Sequence, residues 1–557
     1  MNTDDRRLLL AFVLSLGVFI LYQIYLTKAY PPSRVPSTPI AADGGAGRVS
    51  ADSGVRMAAP VAPAASIPPV RQDIPAVDEA EETAVLRGPG MEITTTTRGA
   101  GIRQIRLAGI PRLPHRDTQD VILVDVFRPD PSGGLRLPGQ TSVSTFKKES
   151  GPPDGVRYSL EVPSLLRVER SIRLTARRHE IRMETRIRNI SGRAIQPGSD
   201  SSSAFGVTLA PFPPKPSKTD LDIHEVFVKL GKDVEHRQEE SPGFFDSLFG
   251  RKRPVAAVQN ETLEGSLRWV SLGDRYFTVT LIPDSPMARA VMTMEGPAIS
   301  VVAQYGSFPL MPGEEKIFEE RLYAGPKIPS ALRAYGEDLL EVMNFGWFDW
   351  LGFWMLRLMN LFHRALPNYG VSIILLTCVV RIVLYPLTYK SYVSMAKLKE
   401  LSPKMKAIQD KHKDNREKLN KELMKMYKDN KVNPAGGCLP ILLQIPVFIA
   451  FYRMLQYSIE LRGASFLWAT DLSEKDPYYI LPVLMGVSML IQQKMTPTPD
   501  PNQAKIGMFM TVLFTFMFLA FPAGLNLYWF VSTVLGIWQQ KIIERKLKAA
   551  PAPSSVS

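Results

Sequence analysis

A single arginine, Arg381, sits inside an otherwise apolar run, Ser372–Leu387 (SIILLTCVVRIVLYPL). A charge at the centre of a bilayer costs about 2.5–3.5 kcal/mol on insertion scales, so such a residue faces protein or water and marks function by default. A lysine-dense segment follows at once, Lys390–Lys431. The two together constrain the chain to a membrane protein with a polar interior and a charged arm beside it.

Leu8–Leu26 is a second long apolar run, and four further runs share the last third of the chain with that of Arg381. The five there are Tyr369–Leu387, Gly437–Leu455, Tyr478–Met495, Ile506–Pro522 and Gly524–Gln540. These five are somewhat short against the roughly 20 residues that a bilayer core asks of a helix. The expected count is six spans, with the Phe521-Pro522-Ala523-Gly524 break separating the last two. The net charge of +13 is uneven: Lys and Arg crowd Lys390–Lys431 and Lys541–Lys548, while Gln456–Tyr478 holds Arg462 and Lys475 alone. The positive-inside rule then puts the hairpin and both termini in the cytoplasm and Thr27–Asn344 outside. Lys28 at the end of the first run, with no A-x-A-like site after it, reads as an uncleaved anchor rather than a signal peptide. Cys378 and Cys438 both fall at membrane segments, so the outer part has no disulfide framework.

The expected order along the chain is an anchor over 1–30, a Pro/Ala-rich linker over 31–82 and a β domain over 83–334. An amphipathic interfacial helix follows over 335–366, then a five-helix core over 367–541 with the hairpin 390–431, and a short basic tail over 542–557. The β assignment rests on alternating runs such as MEITTTT, RVERSIRLT and RYFTVTLIP, punctuated by Gly, Pro and Asn. The interfacial assignment rests on Trp347, Trp350 and Trp354 with Asp349, Arg357 and His363 interspersed. In the hairpin, Leu398, Leu401, Met405 and Ile408 step by 3-4-3 and face Leu419, Leu423 and Met426. Asp414 and Glu417 read as a capping box for the second arm, and Pro403 as a kink or restart in the first.

With this topology the polar residues of the spans cluster at one depth. Thr377 and Arg381 lie one turn apart on one face. Gln444 lies two turns into the third span, and Gln492 and Gln493 close the fourth with Ser488 one turn above. Thr511 and Thr515 occupy the inner half of the fifth, and Ser532, Thr533, Gln539 and Gln540 that of the sixth. The outer halves read PVFIAFY, YILPVLMG, FMFLAFP and LYWFV. Polar groups in lipid need partners, so the pattern suggests a hydrated cavity open to the cytoplasm and sealed outside. Such Ser, Thr and Gln residues also serve simply as helix–helix contacts, worth about 0.6 kcal/mol each. The basic residues Lys397, Lys399, Lys404, Lys406, Lys411, Lys413 and Arg416 are either a solvated positive-inside loop or an arm that meets ribosome or lipid. There is no H-E-x-x-H, no phosphate loop and no zinc spacing, so no enzyme, metal site or cofactor is expected.

Four stretches carry a family resemblance: VRIVLYPLTYKSYVSMAKLKELSPKMKAIQ, KVNPAGGCLPILLQIPVFIAFYRML, DPYYILPVLMGVSMLIQQKM and FPAGLNLYWFVSTVLGIWQQ. In order and spacing they resemble the YidC family of membrane protein insertases, in its Gram-negative inner-membrane form with a large periplasmic domain. TTRGAGIRQIRL and RWVSLGDRYFTVTLIP extend the resemblance more loosely into the β domain. The resemblance implies a membrane α-helical bundle of six transmembrane helices, a periplasmic all-β supersandwich and a cytoplasmic helical hairpin. It implies an insertase and folding chaperone for nascent membrane proteins, acting alone or with the Sec translocon and its accessory proteins, and meeting the ribosome, targeting machinery and membrane lipid. It implies no small-molecule substrate. Arg381 would be the positive charge of the substrate groove, and Thr377, Tyr528 and Trp529 fall where the family's groove meets its substrate. Trp529 stands where the family's second tyrosine is expected, which removes a hydroxyl. The tail after Lys548 lacks the long basic ribosome-binding extension of some relatives. Two other classes fit parts of the pattern: a small-solute transporter, which would show internal repeats, and a receptor whose β domain binds a ligand.

Overall fold

The computed structural model describes residues 80–111, 119–125, 131–137, 143–152, 154–197, 205–209, 225–238, 261–295, 298–343, 348–412, 415–430, 439–495 and 501–549. The anchor over 1–30, the linker as far as residue 79, Cys438, Lys413 and residues 550–557 lie outside them, as do the side chains of Lys399 and Arg416. All described residues except 501–506 belong to one compact unit.

Among the described residues, seventeen strands lie between Thr83 and Pro326, every pairing between them antiparallel. The sequence shows why. Leu166–Leu174 (LRVERSIRL) alternates strictly between buried and half-buried residues, and pairs with Glu180–Asn189 from Leu166↔Asn189 to Leu174↔Ile181. Period-2 apolar patterning of this kind gives one face to a core and one to solvent. A four-stranded meander, Thr83–Gly88, Met91–Thr96, Gly101–Pro111 and Asp120–Asp125, packs over a thirteen-stranded sheet. Ile93, Ile102 and Ile105 of the small sheet share one core with Val168, Ile172, Ile181 and Leu322 of the large one.

Phe277–Pro283 breaks the alternation, with all seven residues buried. It lies in the interior of the large sheet between Glu261–Gly273 and Glu315–Pro326. Its second face is covered too, because a second core joins Phe227, Trp269, Ile282 and Tyr323 to the helical part of the chain. Thr278 and Thr280, on the same face as Ile282, are buried with it and hydrogen-bond with Ser271 of the neighbouring strand.

Eight α-helices follow among the described residues: α1 Pro329–Tyr335, α2 Asp349–Ala365, α3 Tyr369–Lys411, α4 Arg416–Asp429, α5 Leu439–Tyr457, α6 Ile480–Met495, α7 Pro501–Phe518 and α8 Ala523–Ala549. The single helix expected over 335–366 is replaced by the end of α1, a 3-10 turn at Leu339–Val342, and α2. Gly336 (φ 70°) and Asp338 (φ 56°) adopt left-handed backbone that interrupts the helical path. In α2, Met355 and Met359 are buried while Trp350 is 71% exposed.

Helix α3 runs for 43 residues straight through Pro386 and Pro403. The restart expected at Pro403 does not occur; an exposed helix tolerates the lost hydrogen bond where water can take the freed carbonyl. The second arm begins on Asn415, whose side chain accepts from the Lys418 amide at 3.0 Å; Asp414, expected to open a capping box, lies outside the described residues. Leu398 and Leu401 pack against Tyr427 across the hairpin. By length and composition, Tyr369–Leu398 alone among the described helices is long and apolar enough to cross a membrane, with Ile480–Met495 and Lys505–Phe518 shorter apolar helices.

A buried ion pair joins the large sheet to the helices. Lys327 is 0% and Glu225 1% exposed; Lys327 Nζ lies 3.3 Å from Glu225 Oε2, and Tyr457 at the end of α5 donates to Glu225 Oε1 at 2.7 Å. Removing one member of such a pair strands the other charge, at about 3–5 kcal/mol. Lys327→Met is therefore expected to lower the unfolding free energy of the full-length protein, read from urea titration, by that order, and the Glu225→Gln/Lys327→Met double variant to recover most of the loss.

Inside the sandwich, Tyr305 donates to Glu320 at 3.0 Å and Arg170 is fully buried nearby. Burial pushes the Glu320 carboxyl up from its ordinary 4.5 to about 7, opposed by Arg170. Because the folded value is raised, this contribution to stability is complete below about pH 4.5 and is lost as pH rises through about 7. Urea unfolding followed by the β-sheet circular-dichroism signal should therefore show a Glu320-dependent decline over that window, which Glu320→Gln removes.

Candidate functional site

Arg381 lies on α3 four residues after Thr377 and eleven before Tyr392, steps that return to one face of a helix. Its Nε donates to Ser532 Oγ on α8 at 3.0 Å. Gly536, one turn further along α8, makes room for the guanidinium. A Cβ there would lie 3.2 Å from both Arg381 Nη2 and Gln492 Nε2, closer than ordinary van der Waals contact. Gln492 on α6 also pairs with the Tyr392 hydroxyl, which reaches the Gly536 carbonyl at 3.5 Å. On the other side Gln444 of α5 donates to the buried Tyr528 hydroxyl, which lies against Ser532. Four helices thus contribute one continuous polar cluster: Gln444, Tyr528, Ser532, Arg381, Gln492 and Tyr392. No carboxylate among the described residues pairs with Arg381; its hydrogen-bond partner, Ser532, is neutral.

The remaining hydroxyls behave differently. Thr377 donates to Ile373 O, Thr511 to Gly507 O, Thr515 to Thr511 O and Thr533 to Trp529 O, each four residues back along its own helix. Ser488 donates to Met485 O. Such back-bonding satisfies the hydroxyl locally and leaves only acceptor lone pairs for anything else. Thr377 is fully buried, while Thr515 is half-buried and packs on Gly486. Gln493 packs on Gly507.

An aromatic layer borders the cluster. Phe451 stacks on Tyr528 at 4.2 Å between ring centroids. Trp529 meets Phe448 edge-on at 5.3 Å and Phe518 at 5.2 Å. Asn526, buried in the same region, donates to the carbonyls of Phe518, Phe521 and Pro522 and so closes the C-terminal end of α7. On the hairpin, Lys397, Lys404, Lys406 and Lys411 are solvent-exposed.

Two members of the cluster were not singled out from the sequence. Tyr392 sits in the basic segment, but its spacing of three turns from Arg381 places it on the arginine's face. Gly536 is visible only as a glycine in an apolar helix; its use depends on which side chain crosses it. Among the described residues no group of His, Cys, Asp and Glu could hold a metal ion.

Residues 361–550 match the family described as 60Kd inner membrane protein, and residues 89–358 match the YidC periplasmic domain. A protein of Syntrophus aciditrophicus (strain SB) named membrane protein insertase YidC is 32% identical over 576 residues, covering 97% of this chain and 100% of the relative. A Geobacter sulfurreducens protein of the same name is 46% identical over 289 residues, covering 51% of this chain and 54% of the relative, so that match spans about half of the relative's length. A crystal structure of an active YidC insertase with its first transmembrane domain resolved overlays with a TM-score of 0.36 at 19% identity, covering 86% of this chain and 94% of the other. Matched over nearly its whole length by one relative and over both halves by the family's own domains, the chain belongs to the YidC family of membrane protein insertases.

Proposed function

We propose that the polar cluster around Arg381 is the substrate groove through which this protein receives polar segments of nascent membrane proteins from the cytoplasm. The observation that carries the reading is an arginine in an apolar helix whose partners are neutral hydroxyl and amide groups. An acidic residue of a guest can approach it without displacing a carboxylate of the protein. Ser532, Gln492, Gln444 and Tyr528 replace part of the water that a polar segment loses. The guest's apolar span then leaves sideways into lipid past α5 and α7. Apolar transfer and the membrane potential, about 2.3 kcal/mol per charge per 100 mV, supply the drive.

In this reading six helices span the inner membrane, both termini and the α3–α4 hairpin are cytoplasmic, and the β domain is periplasmic. The exposed tryptophans of α2 lie in the outer interface. The hairpin's lysines meet ribosome, targeting factors or lipid headgroups, and the β domain is the surface available to Sec components. The family's work is insertion, not catalysis, and nothing here calls for a cofactor.

A contact worth only about 1.4 kcal/mol changes a partition tenfold. Arg381→Glu is therefore expected to reduce insertion of a guest with an acidic translocated tail by about tenfold, to affect a tail without acidic residues less, and Arg381→Lys to retain more activity than either Glu or Ala. Insertion assayed in proteoliposomes with paired guests measures this; equal insertion of both guests by Arg381→Glu would remove the electrostatic role. Site-specific photocrosslinking to a ribosome-stalled guest is expected to give length-dependent adducts from Gln444 and Gln492 and few from Phe514. The reverse distribution would place the substrate path elsewhere.

A further inference from the structure

A cavity of about 660 Å³ lies between α1, α2 and the 3-10 turn Ile459–Leu461 that follows α5. Arg333, Arg357 and Arg364 line it, and none of the three has a side-chain hydrogen bond or ion pair among the described residues. One carboxylate, Glu460, faces them, so the lining is net positive. Glu460 Oε1 accepts from Asn360 Nδ2 at 3.4 Å, while Glu460 Oε2 and Asn360 Oδ1 are buried acceptors without a donor. Both of these atoms are sealed from water and so do not face the cavity. The same cavity is edged by Trp350, Trp354 and Leu361, all exposed apolar side chains of α2.

These features specify a ligand with an anionic centre for three guanidiniums and an apolar body that continues past the tryptophans. We propose that the cavity seats the headgroup of an anionic phospholipid: phosphate on the arginines, acyl chains along Trp350, Trp354 and Leu361. Guanidinium–phosphate pairing is charge-assisted and geometrically specific. A free phosphate would leave the tryptophans and Leu361 unused. The bound lipid would tie α1, and with it the β domain, to the α2 surface. The inference rests on the interfacial placement of α2 proposed above.

Native mass spectrometry of the full-length protein in detergent, titrated with phosphatidylglycerol, phosphatidic acid, phosphatidylethanolamine or phosphatidylcholine, tests it. Phosphatidylglycerol and phosphatidic acid should each be retained at least tenfold more tightly than phosphatidylcholine, and the Arg333→Gln/Arg357→Gln/Arg364→Gln variant should lose that preference with an unchanged melting temperature. Equal retention of the four lipids, an unchanged preference in the variant, or displacement of phosphatidylglycerol by millimolar inorganic phosphate would overturn the proposal. Quenching of Trp350 and Trp354 fluorescence by bromine-labelled acyl chains reports the placement of α2 separately. Quenching without headgroup preference defeats the lipid site alone, and absence of quenching defeats both readings.

Discussion

An arginine keeps its proton in proteins, so the desolvation of Arg381 cannot be relieved by neutralisation. It has to be met by partners. The chain meets it with dipoles rather than with a counter-charge: the Ser532 hydroxyl, the space left by Gly536, and the amide and hydroxyls of Gln492, Tyr392 and Tyr528. Four helices have to converge to supply these groups, and their convergence fixes where each may carry bulk. Aromatic side chains begin where the polar cluster stops: Phe451 covers Tyr528, and Trp529 wedges between Phe448 and Phe518. The packing of the helical half follows from the requirement to solvate one charge.

The β domain answers a different requirement, the bracing of the helices from one side. Its large sheet buries both faces at Phe277–Pro283, one inside the sandwich and one against the second core that reaches α5. The contact includes a charge pair that is sealed from solvent, Glu225 with Lys327, and an α5 residue, Tyr457, completes it. Trp269 donates to the Glu337 carbonyl at 2.8 Å and Lys229 lies 3.1 Å from Glu341, which pin the connector between α1 and α2 to the same sheet. Directional contacts of this kind resist sliding, whereas an apolar surface alone would permit it.

The legible part of this chain is the part governed by period. Strands such as Leu166–Leu174 alternate because one face is wet, and that is visible in LRVERSIRL. The order of strands in the large sheet is not visible, because the alternation in FTVTLIP marks a strand and its two faces but not the neighbours it pairs with. In the helices, the spacing of Thr377, Arg381 and Tyr392 marks a common face, yet sequence does not reveal whether a hydroxyl turns to a neighbouring helix or to its own carbonyl four residues back. Thr377, Thr511, Thr515 and Thr533 took the local option; Ser532 serves Arg381. Helix ends were equally local decisions: Asn415 caps α4, and Pro403 did not stop α3 because an exposed helix can lose one hydrogen bond to water.

Neutral solvation of Arg381 also bears on how a groove could release what it holds. Had a carboxylate of the protein paired with the guanidinium, a guest's acidic group would have to displace it. Breaking a buried pair strands one of its charges, at about 3–5 kcal/mol. With hydroxyl and amide partners, entry of an acidic group exchanges weak contacts for a stronger one, and departure allows the same weak contacts to re-form. The hydrogen bond from Arg381 to Ser532 is already one to a charge, worth about 1.5–3 kcal/mol, so an acidic group gains only the excess of an ion pair over it. The difference is large enough to bias where an acidic segment rests and small enough to be overcome by burying a few methylene groups in lipid, at about 0.8 kcal/mol apiece. A site that must hold a segment and then let it go is better served by such partners than by a permanent ion pair.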